Sequence, residues 1–254
     1  MMTFNKVWNF LLQEDNREAA KVLISLLGLV GSTAIAFGLF LNYQDSVFDR
    51  SIATKQLAVS EQRSVSDRFA EAIKLFGNPD PLVRIGGIYS LEKIAQDSPS
   101  DHWTIMEFLV SYIAKESPLD RDKAQSEPIS EDIQAAIKVI IARQVSQDPV
   151  DQFIGLQDVS LVNAQLYKAH LEDADLRGAN LAEADLLEAN LSKANLSEAN
   201  LSKASLGRAN FESANLTNAI LTNVSEWTDQ QLGKALLCRT KLPKGSKHNP
   251  DRDC

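Results

Sequence analysis

Leucine or phenylalanine recurs at positions 156, 161, 166, 171, 176, 181, 186, 191, 196, 201, 206, 211, 216 and 221, an unbroken period of five. No ordinary element accommodates that period. On an α-helix five residues advance by roughly 140° beyond a full turn, so these side chains would spiral round every side. On a flat strand an odd spacing would send successive ones to opposite faces. A regular fold must therefore turn once per repeat. Two residues before each large residue stands an alanine, from Ala164 to Ala219, with Ile154 and Val159 in the first two repeats. If both positions point inward, each short extended segment supplies one small and one large apolar group, and four segments with four corners close a square coil. Alanine fits the crowded corner and leucine fills the axis. This pattern has to override local preference, because Ala, Leu, Glu and Lys individually favour helix.

The middle of the array, Ala174 to Leu216, contains Ala184-Asp185-Leu186, Ala189-Asn190-Leu191 and Ala194-Asn195-Leu196. These triplets resemble the bacterial pentapeptide-repeat family, of the cyanobacterial type, whose motif reads Ala-Asp/Asn-Leu-x-x. The resemblance implies a right-handed quadrilateral β-helix with four repeats to a coil. Gly155, Ser160, Gln165 and His170 occupy the Asp/Asn position ahead of the core, Ser205 lies within it and Ile220 near its exit, so irregular first and last turns are expected. Fourteen repeats make about three and a half coils, a rod only ~17 Å long at roughly 4.8 Å per stacked strand.

Exposed residues twenty apart should then lie one above another. Lys168, Glu188 and Arg208 form such a column with alternating sign, as do Asp173 with Lys193 and Glu183 with Lys203. Stacked opposite charges are favourable, each exposed pair by about 0.2 to 1 kcal/mol. The face carrying Tyr167, Lys168, Leu187, Glu188, Gly207 and Arg208 is the candidate partner-contact surface, because Tyr167 and Leu187 would be exposed apolar neighbours.

Val22 to Leu41 contains no charged side chain, and its twenty residues match a hydrocarbon core roughly 30 Å thick. It reads as an uncleaved transmembrane anchor, since Glu14, Asp15 and Glu18 precede it where a signal peptide would be basic. Ahead of it, Phe4, Val7, Trp8, Leu11 and Leu12 share one face of a helix suited to a lipid interface or to packing on the protein. Gly28, Ser32 and Ala36 fall four apart, a small-residue stripe that permits transmembrane packing and a homodimer. Flanking cations are balanced, Lys6, Arg17 and Lys21 against Arg50, Lys55 and Arg63, so they set no orientation.

Between anchor and array the sequence is helical in pattern. Val65, Phe69, Ala72, Ile73 and Phe76 share a helical spacing, and Gly77-Asn78-Pro79-Asp80-Pro81 ends that helix. Further helices are expected over 82–95, 102–114 and 131–143, the last with Ser130 as N-cap. Residues 82–95 resemble one helix of a HEAT-type repeat. The run Asp101-His102-Trp103-Thr104-Ile105-Met106-Glu107 is similar to the helical region found in front of bacterial pentapeptide arrays. No nucleophile or paired acid stands at a useful spacing from His102 and Trp103, which reads them as helix-start packing. Residues 115–129 read as a surface loop. Beyond the array, Thr228 and Gln231 make a capping box for a helix through Leu237 that would close one end of the solenoid, the earlier helices closing the other.

Cys238 and Cys254, the two cysteines, either pair or remain thiols. Paired, they would contribute on the order of 3 kcal/mol and tilt the soluble part toward an extracytoplasmic, oxidising side. With three histidines besides, they form no zinc spacing, and no cofactor is expected. A net charge of −8 and pI near 5.0 argue against nucleic acid as a partner. The expected architecture is α+β: an amphipathic segment 1–21, a transmembrane helix 22–41, an α-helical region 42–149, a right-handed quadrilateral β-helix 150–224, and a helical cap and tail 225–254. The expected function is that of a membrane-anchored, non-enzymatic binding or scaffolding module. It would be held single-pass in a plasma or thylakoid bilayer through residues 22–41, with a protein partner whose identity the sequence leaves open. A gyrase-binding DNA mimic is the alternative that the family suggests, and the short rod of mixed charge argues against it. A membrane-associated enzyme is a third, for which the chain carries no motif.

Overall fold

The computed structural model describes residues 64–120 and 127–254, together with Gln56 and Ser60. Residues 64–76 are helical, and the Gly-Asn-Pro-Asp-Pro run stops them. Helix α1, Pro81–Asp97, then starts with Pro at its first position and with the Asp80 carboxylate accepting from Leu82 N. Helix α2, Pro99–Glu116, and helix α3, Glu131–Ile141, pack pairwise with α1 and with each other. Ile88, Leu91, Ile105, Leu109, Ile113, Ile133 and Ile137 fill the space between them. Phe76 meets Phe108 and Tyr112 edge-on at 4.9 and 5.0 Å, tying the preceding helix to α2. Ser130 stands at the N-cap of α3 but does not bond its backbone. Its hydroxyl donates instead to the Asp132 carboxylate, a stronger acceptor within reach.

From Ile154 onward the chain coils. Parallel bridges link residues twenty apart, Gly155 to Asp175, Ser160 to Asn180, Gln165 to Asp185, His170 to Asn190, and so on around and up the array. Four repeats therefore complete each coil, and each side contributes an isolated bridge rather than a longer strand. The large and small inward residues from Ile154 to Leu221 are buried throughout and merge with the helical core into one cluster. The first repeats are in register despite Gly155, Ser160, Gln165 and His170, and Ile220 bridges Asn200. Within the array the expected irregularity is absent, because the bridging position bonds through its backbone whatever its side chain; it appears only at the exit, where Asn215 and Ile220 bridge residues twenty-one further on.

Each corner turns through a residue with positive φ, two after the leucine. These residues run from Asp158 (51°) through Glu198 (63°) to Asn223 (59°), and only Gly178 among them is a glycine. Carboxamides and carboxylates at the bridging position hold the turn by accepting the N–H two residues on, as Asn180 does from Ala182 and Asn200 from Ser202. Asparagines also stack along the rod, Asn200 donating to Asn180 and Asn210 to Asn190.

A parallel coil leaves a row of backbone groups unpaired at each end. Residues remote in sequence cover the first coil side by side. Pro118 bridges Val159 in antiparallel sense, and Ser160 N donates to Ser117 O at 2.8 Å. Ile129 N donates to Val162 O. The Gln134 amide takes both groups of Gln165, donating to its O at 3.2 Å and accepting from its N at 2.8 Å. Arg143 Nη1 donates to His170 O at 2.7 Å. Residues 117–119 are thus part of the coil edge and not the surface loop their composition suggests.

At the other end the Thr228–Gln231 capping box forms and opens helix α4, Asp229–Gly233. It stops at Gly233 rather than Leu237 because the following backbone rejoins the ladder, Leu236 bridging Asn215 and Lys241 bridging Ile220. The spacing there is one residue longer than in the array, the slack taken up by the helical turn. Gln231 Nε2 donates to Leu206 O and Ala209 O, fastening that turn to the coil below. Cys238 and Cys254 form a disulfide with Cα atoms 4.9 Å apart.

The expectation of a single-pass membrane protein is corrected. Among the described residues no helix is long and apolar enough to cross a membrane, since each buries one face in the core and carries charge elsewhere. Residues 1–21 and 22–41, with the stripe Gly28, Ser32 and Ala36, lie outside the described residues.

Candidate functional site

One side of the coil stacks Gln165, Asp185, Ser205 and Ser225 as bridging residues. Next to them along the chain stand Tyr167, Leu187 and Gly207, and then the corner residues Lys168, Glu188 and Arg208. Tyr167 is 48% exposed and Leu187 half-buried. Leu187 lies over Gly207: a methyl group there would stand 2.6 Å from Leu187 Cδ2 and 2.8 Å from Glu226 Oε2. The absence of a side chain at 207 lets leucine lie flat along the coil, leaving Tyr167 and Leu187 as an apolar strip.

The charged column borders that strip. Glu188 reaches Lys168 Nζ at 3.5 Å on one side and Arg208 Nη1 at 3.8 Å on the other. Lys168 Nζ also lies 5.0 Å from the Tyr167 ring centre. The Tyr167 side chain first, and the Glu188 charge second, raise the Lys168 pKa above its ordinary value. Along the two neighbouring corners Lys193 sits 3.0 Å from Glu172 and 3.9 Å from Asp173 on one, and Lys203 lies 2.7 Å from Glu183 on the other. Glu172, twenty-one residues away, was invisible to a strict twenty-residue column, because a lysine reaches diagonally as easily as straight up.

Two polar clusters in the helical region show what the other titratable groups do. His102 is buried, and its Nε2 lies 3.1 Å from Asp148 Oδ1, while Asp148 Oδ2 accepts from Arg143 Nε at 2.8 Å. Arg143 goes on to His170 O and Ile140 O. An acid does therefore face His102, forty-six residues along the chain, but the cluster leads to backbone carbonyls and docks helix on coil. The second cluster centres on Asp132, which accepts from Arg84 Nε at 2.7 Å, from Tyr112 and from Ser130. Burial pushes the Tyr112 hydroxyl up, and its bond to Asp132 adds to this, to about 12. Trp103 is half-buried against the core and donates to Glu107, within the same helix.

The coil geometry has a counterpart among known families. Residues 160–197 and 194–225 match pentapeptide repeats, in eight copies. This segment is a pentapeptide-repeat array. Pentapeptide repeats imply the right-handed quadrilateral β-helix. The array is similar to a pentapeptide repeat protein from the Arabidopsis thaliana thylakoid lumen, at 34% identity over 28% of this chain and 48% of that one, with a TM-score of 0.27. A pentapeptide repeat protein from Nostoc PCC 7120 is 34% identical over 33% of this chain and 77% of its own, also with a TM-score of 0.27. HetL from Nostoc sp. strain PCC 7120, a pentapeptide repeat protein involved in heterocyst differentiation regulation, is 29% identical over 37% and 53%, with a TM-score of 0.22. The chain thus spans about half the length of the Arabidopsis protein. Among curated proteins none matches. The family match stops short of the helices, so the HEAT-type likeness of residues 82–95 gains no support from it.

The corner residues were legible in principle. At no corner from Asp158 to Asn223 does Val, Ile or Thr appear, although these are among the residues most favoured in extended chain. Branching at Cβ is least tolerated at positive φ, and its exclusion from every fifth position marks where the chain bends.

Proposed function

We propose that this protein is a non-enzymatic protein-binding module whose pentapeptide array presents the Tyr167–Leu187 side to a partner. The observation that carries the reading is the apolar strip of Tyr167 and Leu187, laid flat by Gly207 and bordered by the Lys168–Glu188–Arg208 column. An exposed aromatic beside a leucine supplies desolvation, and the surrounding charges set orientation, the composition of a small interface centre. Glu188 is already flanked by two cations, so the column carries one net positive charge. That counts against the DNA-mimic alternative, which requires a sustained negative surface.

The test is a crosslinking capture from the native host with the full chain as bait, comparing wild type with Tyr167→Ser/Leu187→Ser. Both side chains lie outside the coil core, so thermal unfolding should be little changed. Partners that bind this side should fall at least several-fold in yield, whereas a Glu198→Gln control on a different side should retain them. Equal recovery of every partner by the double variant removes the site assignment.

A further inference from the structure

The last stretch of ladder has a second edge. Between Ala235 and Thr240 the backbone bonds the coil through Leu236, Cys238 and their neighbours, which turns Ala235 O, Leu237 N, Leu237 O, Arg239 N and Thr240 N away from it. Each of those five groups is taken by the C-terminal tail. Arg252 donates to Ala235 O, Asp253 Oδ2 accepts from Leu237 N at 2.9 Å, and Asp253 N donates to Leu237 O at 2.8 Å. Asp251 Oδ1 accepts from Arg239 N at 2.9 Å, and Pro250 O accepts from Thr240 N.

The tail is a poor cover in every respect except this match. Residues 249–254 are all exposed, and none belongs to the apolar core. It is held by backbone bonds, by two carboxylates spaced Asp-x-Asp, and by the disulfide from Cys254 to Cys238 in the middle of the edge. The segment before it is anchored independently, Lys247 N donating to Asp229 Oδ1 and His248 Nε2 lying 2.6 Å from Asp229 O.

We propose that Ala235–Thr240 is a docking edge for a turn-forming acidic segment of another protein, spaced Asp-x-Asp, and that residues 250–254 are its built-in occupant, latched by the Cys238–Cys254 disulfide. The tail meets the edge in turns rather than as an added strand, Arg252 N donating to Asn249 O and Cys254 N to Asp251 O, so it combines main-chain bonds with side-chain carboxylates. Here the selectivity comes from Leu237 N and Arg239 N, two donors that each meet a carboxylate. Opening the latch requires a dithiol reductant. It supplies two electrons and two protons, the S–S bond becomes two thiols, and the dithiol becomes a disulfide. This surface is separate from the Tyr167 side and does not depend on it.

Disulfide capture tests the proposal. A chain ending at His248 keeps Cys238 and is mixed with a peptide of residues 249–254 in reduced and oxidised glutathione. Oxidised glutathione converts the peptide thiol to a mixed disulfide. The Cys238 thiolate then displaces reduced glutathione from it and retains the peptide. Intact-mass measurement should show capture roughly tenfold or more above that of the peptide carrying Asp251→Asn and Asp253→Asn, since two charge-assisted bonds are lost. Equal capture of the two peptides, from a chain still folded by circular dichroism, overturns the assignment of acidic selectivity.

The complete chain supplies the second arm. A fluorescent peptide with Cys254→Ser should bind it only after dithiothreitol treatment. If the reduced, folded chain binds no better than the oxidised one, the latch is refuted. If the shortened chain instead dimerises in sedimentation and excludes the peptide, the edge belongs to a second copy and the proposal fails.

Discussion

Asp132 offers the sharpest quantitative test of the helical region. Its side chain is 3% exposed, and burial by itself pushes the carboxyl up. Hydrogen bonds from Ser130, Tyr112 and Arg84, with the Arg84 charge, outweigh that burial and hold the group at about 2, against an ordinary 3.8. A carboxyl held low in the folded state contributes stability that is present above its unfolded pKa and is lost as pH falls through the folded one. At about 1.4 kcal/mol per pH unit, the contribution at neutral pH is about 2 kcal/mol, disappearing between roughly pH 4 and pH 2. Urea unfolding of wild type and Asp132→Asn from pH 7 to pH 2.5 isolates it, because the other carboxylates titrate in both proteins and cancel in the difference. The stability gap between the two should shrink by about 1.5 kcal/mol down to pH 2.5, where part of the contribution remains. Asp132→Ala, which strips the partner from Arg84, should cost roughly 3–5 kcal/mol at pH 7. Parallel wild-type and Asp132→Asn curves across the acid range would refute the reasoning, as would a carboxyl signal of Asp132 titrating near 3.8 by NMR.

Two further substitutions probe backbone positions. Gly86 and Gly87 are adjacent in α1, yet a methyl at 86 meets nothing within 4 Å, while one at 87 would stand 2.9 Å from Ala72 O and 3.0 Å from Leu75 Cβ. Gly86→Ala should raise stability by about 0.5–1 kcal/mol through helix propensity, and Gly87→Ala should lower it by about 1–2 kcal/mol because the two helices must part. Thermal shifts of the same sign would contradict that packing. At the corner residue Glu198, with φ of 63°, Glu198→Asn should be neutral or stabilising, and Glu198→Val should cost about 1–2 kcal/mol by urea unfolding. Equal stability of the two variants would mean that the corner relaxes out of the left-handed region.

How much was readable in advance differs between the middle of the molecule and its ends. The leucine period, the alanines two residues earlier and the charges twenty apart all report a coil. Within the coil each residue's neighbours are set by a constant offset along the chain, so a local pattern carries the tertiary information. The columns at Lys168–Glu188–Arg208 and Glu183–Lys203 follow from that offset, and the capping box at Thr228 from its own four-residue motif. Where the offset ends, so does the legibility. No periodicity ties Gln134 to Gln165, Arg143 to His170, Asp148 to His102 or Asp253 to Leu237.

The sequence alone therefore determined a four-sided coil with a leucine axis and a mixed-charge surface, because that pattern repeats along the chain. Tertiary structure alone decided how the coil ends. An open backbone edge must be satisfied by whatever donors and acceptors the fold brings to it. Here those came from a three-residue segment after α2, from the Gln134 and Arg143 side chains, and from an acidic tail closed by the Cys238–Cys254 disulfide.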